Sequence, residues 1–140
     1  DLIVAADPGD PELIQGLLDW MLAARADFTN AFRDLSAADP PAGGRYDDEA
    51  FRAWHARWRQ RLGGGPTPDA VARMRAANPA VIPRNHRVEE ALAAAEERDD
   101  LKLMHDLVAV LAAPYDPPAG WEAYRDPPAD ECGYRTFCGT

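Results

Sequence analysis

Met74–Val88, MRAANPAVIPRNHRV, is the stretch on which the reading of this chain turns. Asn78-Pro79 ends a helix, because the residue before a proline is pushed out of the α region. Pro83 can open the next helix, since a proline at the first helical position gives up an N–H that would have had no partner. Arg84-Asn85-His86 then sits at a helix junction. Two helices on either side of a short proline-bounded break imply a helical protein, and the sequence on both sides extends that pattern.

Upstream, Thr67-Pro68-Asp69 is a start signal for a short fourth helix, and Gly63-Gly64-Gly65 closes a third. That third helix is expected from about Asp47 to Leu62. Phe51, Trp54, His55, Trp58 and Leu62 recur along it at helical spacing. Pro40-Pro41-Ala42-Gly43-Gly44 is a loop. A second helix covers Phe28 to Leu35. The first opens at Asp10-Pro11-Glu12, with Asp10 as the capping acid and Leu13, Ile14, Leu17, Leu18 and Met21 as one apolar stripe. Downstream, Val88, Ala91, Leu92 and Ala95 form the inner face of a fifth helix. Asp99 or Asp100 caps a sixth, in which Leu101, Met104, Leu107, Val108 and Leu111 point inward. No stretch alternates with period two for long enough to make a strand. The expected fold is all-α, a compact bundle of about six helices over residues 1–113.

From residue 114 the character changes. Pro114, Pro117, Pro118, Pro127 and Pro128 oppose regular helix, while Tyr115, Trp121, Tyr124, Tyr134 and Phe137 are too aromatic for a free linker. Residues 114–140 read as an extended C-terminal tail whose rings dock on the helices or on a neighbouring domain.

Composition narrows the function. The 140 residues carry a net charge of −9, which argues against a nucleic-acid partner. Mean hydropathy is −0.43, and no run of apolar residues is long enough to span a membrane. The first residues, DLIVAADPGDPE, are too acidic and too briefly apolar for a secretory signal. They include no initiator methionine, so Asp1 is not expected to be the natural start. Basic residues cluster at Arg52, Arg57, Arg59 and Arg61, and at Arg73, Arg75, Arg84 and Arg87. They read as solvated helix faces balanced by nearby acids, or as a patch facing an acidic or nucleotide-bearing domain.

Signatures of chemistry are missing. Gly63-Gly64-Gly65 continues into Pro66-Thr67-Pro68 and lacks the lysine of a phosphate loop. His55, His86 and His105 lie in different elements, and Cys132 and Cys138 have no zinc-knuckle spacing, so no metal site is expected. Asp47-Asp48-Glu49 and Asp99-Asp100 look like helix starts and lack the spaced oxygens of a calcium loop. Trp54 and Trp58, one turn apart, read as core anchors. No catalytic and no cofactor-binding residue is assigned. Cys138 is the one candidate site residue: a thiol near the terminus is open to exchange, and it either stays idle, bonds Cys132 across a small loop, or tethers the tail to a cysteine outside this chain.

The chain resembles the C-terminal region of the selenoprotein O family. The resemblance runs through Leu13-Ile14-Gln15-Gly16-Leu17-Leu18, Ala26-Asp27-Phe28-Thr29 and Phe32-Arg33-Asp34-Leu35. Met74-Arg75, Asn78-Pro79, Ile82, Arg84 and Asn85 form its most specific block, and Pro114-Tyr115 and Cys138 complete it. The resemblance implies a kinase-like parent enzyme that transfers AMP from ATP, with magnesium, to protein hydroxyls. It implies no catalytic residue here, because the lysine, aspartate and asparagine that position ATP lie upstream of the matched region. It gives Cys138 a disulfide to the kinase-like domain, at a position where eukaryotic members carry selenocysteine. Cys132 matches no family position, so the local Cys132–Cys138 bond stays open. The expected role is a non-catalytic accessory or regulatory region. Its partners are the kinase-like domain of the same chain and the parent's protein substrates, in the cytoplasm. The alternative is a stand-alone helical protein-interaction module, binding through the Trp54/Trp58 face or the aromatic tail.

Overall fold

The computed structural model describes residues 7–128. Six α-helices account for most of them: α1 Asp10–Ala23, α2 Phe28–Leu35, α3 Glu49–Arg61, α4 Pro68–Ala77, α5 Asn85–Arg98 and α6 Lys102–Leu111. Single 3-10 turns occur at Gly44–Asp47 and Trp121–Tyr124, and no strand occurs among the described residues. The all-α expectation therefore holds. Cys132, Tyr134, Phe137 and Cys138 lie outside the described residues.

Local chemistry explains where the helices begin and end. Asp27 accepts from the backbone N–H of Asn30 at 2.8 Å to start α2, and Thr67 Oγ1 accepts from Ala70 N–H at 3.2 Å to start α4. Such caps contribute about 1 kcal/mol each by satisfying a helix-end donor. Asn78 leaves α4 in an extended conformation, φ −114° and ψ 107°, as the following proline requires. At the other junction Asp100 Oδ1 accepts from Lys102 N–H at 2.9 Å, while Asp99 closes α5 in the left-handed region at φ 53°. The two adjacent acids thus divide the work between two helix ends.

Two boundaries differ from expectation. The residue flanking α1 is Gly9 rather than Asp10, whose carboxylate instead accepts from Asp7 N–H at 2.9 Å and from Arg61. Pro83 does not open α5. It precedes the flanking residue Arg84, and residues 81–84 run without regular structure.

The chain divides into two compact units between Asn78 and Pro79. The core of the first comprises Leu17, Trp20 and Met21 of α1, Ala31 and Leu35 of α2, and Phe51 and Trp54 of α3. Rings run through it in series: Trp20 to Phe51 at 4.6 Å between centroids, Phe51 to Trp54 at 5.8 Å, and Trp54 to Trp58 at 5.9 Å with planes 12° apart. Burying a side chain such as Phe51 stabilises by about 1.5–3 kcal/mol.

In the second unit α5 packs on α6 through Ala91, Ala94, Leu107 and Val110. Ala80 and Val81 are also buried, and both of their N–H groups donate to the Pro114 carbonyl, at 2.8 and 3.3 Å. The inner faces here are rotated from those expected. Leu92 is 52% exposed and Val108 61%, while Ala94 and Val110 point inward. Small alanines allow α5 to approach closely, and that choice of face leaves the larger Leu92 outside.

Candidate functional site

An apolar groove of about 370 Å³ lies in the first unit. Leu13, Ile14, Leu17 and Leu18 of α1 form one wall. Trp54, Trp58 and Arg61 of α3, with Leu62, form another, and Phe32, Leu35, Met74 and Asn78 from α2, α4 and its end complete it. The sequence places these residues by periodicity: positions 13, 14, 17 and 18 share one face of α1, and 54, 58, 61 and 62 share one face of α3.

Polar contacts hold the walls in place. Trp54 Nε1 donates to the Leu13 carbonyl at 2.8 Å, joining α3 to α1. At the rim Arg61 Nε and Nη2 donate to the two Asp10 oxygens at 2.7 and 3.0 Å. The Arg61 bond holds the Asp10 carboxyl below its ordinary 3.8, with the Asp7 N–H as a second cause. On the other side Arg33 donates to the carbonyls of Arg75 and Asn78, at 3.2 and 3.0 Å. Arg75 Nε donates to the Ser36 carbonyl at 3.2 Å, and Asn78 Nδ2 donates to Ser36 Oγ at 3.1 Å. The fully buried Ser36 hydroxyl donates in turn to the Phe32 carbonyl at 2.7 Å. Arg33 was not singled out by sequence reasoning. A lone arginine on a short helix carries no signal that it will collect the orphan carbonyls at another helix's end.

The walls are open to solvent at α1, where Ile14 is 62% exposed and Leu18 40%. The polar groups lining the groove already have partners: Asp10 and Arg61 bond to each other, Trp54 to the Leu13 carbonyl, and Asn78 to Ser36. What remains available is aliphatic and aromatic surface, suited to packing against another apolar segment rather than to moving protons or electrons.

The remaining sequence candidates are dispersed. His55 is buried against Phe51, 5.5 Å between ring centroids, and burial pushes its pKa below the ordinary 6.5 with the Arg59 charge assisting. His86 is shifted downward as well, by burial first and then by Arg87. Among the described residues no three His, Cys, Asp or Glu side chains converge as a metal set. Trp54 and Trp58 are stacked anchors that also line the groove.

The basic clusters separate into individual contacts. Arg52 pairs with Asp47, Arg61 with Asp10, and Arg73 with Asp69. Arg59 donates twice to the Gly64 carbonyl, helping to close the end of α3. In the second unit Arg84 donates from Nε and Nη2 to the Arg125 carbonyl at 3.0 and 2.8 Å. Arg87 donates to the Ala123 carbonyl at 2.8 Å and lies 6.0 Å from the centre of the Tyr124 ring. Arg84 of the specific block, with Arg87 one turn on in α5, thus fastens the turn at Trp121–Tyr124. Cys138 lies outside the described residues.

No protein-family model matches the chain. Direct comparison finds close similarity to proteins named protein nucleotidyltransferase YdiU. The relative from Nitrosococcus oceani is 46% identical over 134 residues, which cover 94% of this chain and 27% of that protein. Those from Syntrophotalea carbinolica and Geobacillus kaustophilus are each 47% identical, over 96% and 94% of this chain and 28% of their own length. The chain thus spans less than a third of the curated relatives it matches.

Proposed function

We propose that the chain belongs to the selenoprotein O family and is the C-terminal helical accessory region of a protein nucleotidyltransferase that transfers AMP from ATP to protein hydroxyls. Near-complete coverage of this chain against less than a third of each relative is the observation that carries the reading. The relatives are named for nucleotide transfer to protein, and the choice of AMP follows from the family resemblance.

Nucleotide transfer needs metal-binding and phosphate-clamping groups converging on one pocket. ATP and magnesium therefore belong to the kinase-like remainder of the parent, with this region non-catalytic by itself. The helices buttress that domain. Cys138 acts as a redox latch, its thiol and a second thiol in the kinase-like domain joining as a disulfide. The bond forms with loss of two electrons and two protons, which a low-molecular-weight disulfide takes up as two thiols. The parent then works in the cytoplasm, where the thiol pool can reopen the latch.

The test is incorporation of label from α-labelled ATP into protein by the full-length parent with magnesium, beside this chain alone. Label with the parent and none with the chain is expected, with incorporation rising on reduction and becoming insensitive to reductant in Cys138→Ser. A parent that transfers nothing in either redox state overturns the enzyme reading. One that transfers equally in both states overturns the latch. The exposed groove also favours a second reading, a stand-alone helical interaction module, for which a start codon directly before Asp1 would be the decisive sign.

A further inference from the structure

Three features stand out beyond the reading above: the arginine-rich start of α5, the outward apolar residues of α6, and the groove of the first unit. The first is occupied by its own carbonyl contacts, and nothing shows what covers the second. The groove carries an inference, because its position relative to the chain's entry point limits what can reach it.

We propose that the groove walled by Ile14, Leu18, Trp58 and Leu62 is the seat of an apolar segment from the preceding, kinase-like part of the parent polypeptide. This deepens the proposed function and rests on it. The first argument is the amount of polypeptide outside this chain: the matched relatives have more than two thirds of their length beyond the aligned region. The second is where that polypeptide arrives. Asp7 N–H donates to Asp10 Oδ2, and Asp10 is a rim residue of the groove. Asp7, the first described residue, therefore stands at the groove's edge, and attachment of a preceding domain through that point raises its effective concentration at the groove to about the millimolar range.

The chemistry of the walls selects the occupant. Ile14, Leu18 and Leu22 follow one another at four-residue spacing, and Leu22 is 82% exposed, so the apolar surface continues from the groove along α1. Contiguous surface of this kind marks an interaction site. Asp10 and Arg61 neutralise each other at the rim, and Asn78 is bound to Ser36, so no charge in the groove awaits a counter-ion. The occupant is accordingly aliphatic or aromatic, presented by a helix or loop. A helix would meet the α1 stripe with side chains at its own three- and four-residue spacing.

The experiment compares Ile14→Asp and Leu18→Asp with the control Ala53→Asp, an exposed position on α3 away from the groove. Each is placed in the full-length parent and in the 140-residue chain. Resistance to limited proteolysis under native conditions is the readout, with the oligomeric state of each protein measured alongside. In the parent, the groove variants are expected to lose resistance by about tenfold or more, because a charge replaces apolar contact at the domain junction. In the chain alone Ile14→Asp should match the wild type, because Ile14 is 62% exposed there, Leu18→Asp at a 40% exposed position should lose less resistance than it does in the parent, and Ala53→Asp should be silent in both. Groove variants that leave the parent's resistance unchanged overturn the proposal. So does a self-associated wild-type parent that the groove variants convert to monomers without loss of resistance, since the occupant is then a second copy. The readout does not depend on AMP transfer, so an inactive parent whose groove variants still open would remove the enzyme reading and leave the docking surface standing.

Discussion

Trp54 donates its indole N–H to the carbonyl of Leu13, 2.8 Å away and 41 positions earlier in the chain. The bond ties α3 to α1 at the groove and orients the indole so that its Cδ1 faces Gly16. A methyl group added at Gly16 would lie 3.3 Å from that atom. The Leu13 carbonyl belongs to a helix, so loss of the indole leaves it an intrahelical partner. Trp54→Phe is therefore expected to cost about 1–2 kcal/mol, close to one net hydrogen bond with some lost packing. Trp54→Ala should cost about 3–5 kcal/mol through the cavity. Urea unfolding followed by circular dichroism distinguishes the two.

Gly16→Ala tests whether Trp54 is held as rigidly as this contact suggests. In a free helix the change would stabilise by about 0.5–1 kcal/mol. Here the new methyl meets an indole fixed by Leu13 on one side and by the stacked Trp58 ring on the other. The expected outcome is a denaturation midpoint equal to or below that of the wild type. A midpoint raised by the full helical gain would show that the indole can give way.

How much of this was legible depended on which signals were local. Thr67, Pro68, Asn78 and Pro79 act on their own neighbours, and α4 lies where they place it. Phe51, Trp54 and His55 lie on the face their spacing indicates. Trp20 was missed although it is buried three residues after Leu17, on the same stripe. Ile14 and Leu18 belong to the apolar stripe expected with Leu13, Leu17 and Met21, yet they stay largely open to solvent along the groove while Leu17 and Met21 are buried. Periodicity gives an apolar face and does not say whether its partner lies within the same stretch of chain. Leu92 and Val108 show a related weakness: α5 turns the small side chains of Ala91 and Ala94 inward rather than its larger leucine, and α6 turns in Leu107 and Val110. The Arg33 and Ser36 network was invisible because each bond joins residues about 40 positions apart.

That network gives a third prediction. Ser36→Ala leaves the half-buried Asn78 amide without its side-chain acceptor, an expected loss of about 0.5–1.5 kcal/mol. Arg33→Met removes the donor shared by the Arg75 and Asn78 carbonyls at the end of α4, and should cost about 1.5–3 kcal/mol. Because the residues share partners, the double variant should lose less than the sum of the two. Strict additivity in a double-mutant cycle would show that the two sets of bonds act independently.

Acidification should weaken the first unit through His55. Burial and Arg59 lower its folded pKa below 6.5, whereas the unfolded chain takes up its proton near 6.5. Between those two values the unfolded state holds more protons, so the stabilising contribution is complete above about pH 7 and declines as the pH falls through 6.5. His86 is shifted in the same direction and adds to the slope in the second unit. His55→Phe keeps an aromatic ring against Phe51 and removes the titration. Thermal midpoints taken between about pH 7.5 and pH 5.5 should fall less steeply in this variant than in the wild type. Equal slopes would place the pH dependence elsewhere.

Arg84 makes the last prediction specific to the block at the start of α5. Its guanidinium donates from two nitrogens to one acceptor, the Arg125 carbonyl, and Arg87 reaches the Ala123 carbonyl beside it. Arg84→Lys keeps the charge but cannot reproduce the planar pair of donors. The turn at Trp121–Tyr124 should then open more often, giving faster amide exchange over residues 121–126 while α1 to α4 exchange as before. Arg84→Ala should do the same more strongly, by about 1.5–3 kcal/mol of local opening free energy. Mass-resolved hydrogen exchange of both variants reads this directly. If the lysine variant protects the turn as well as arginine does, charge alone fastens it and the two-nitrogen geometry contributes nothing.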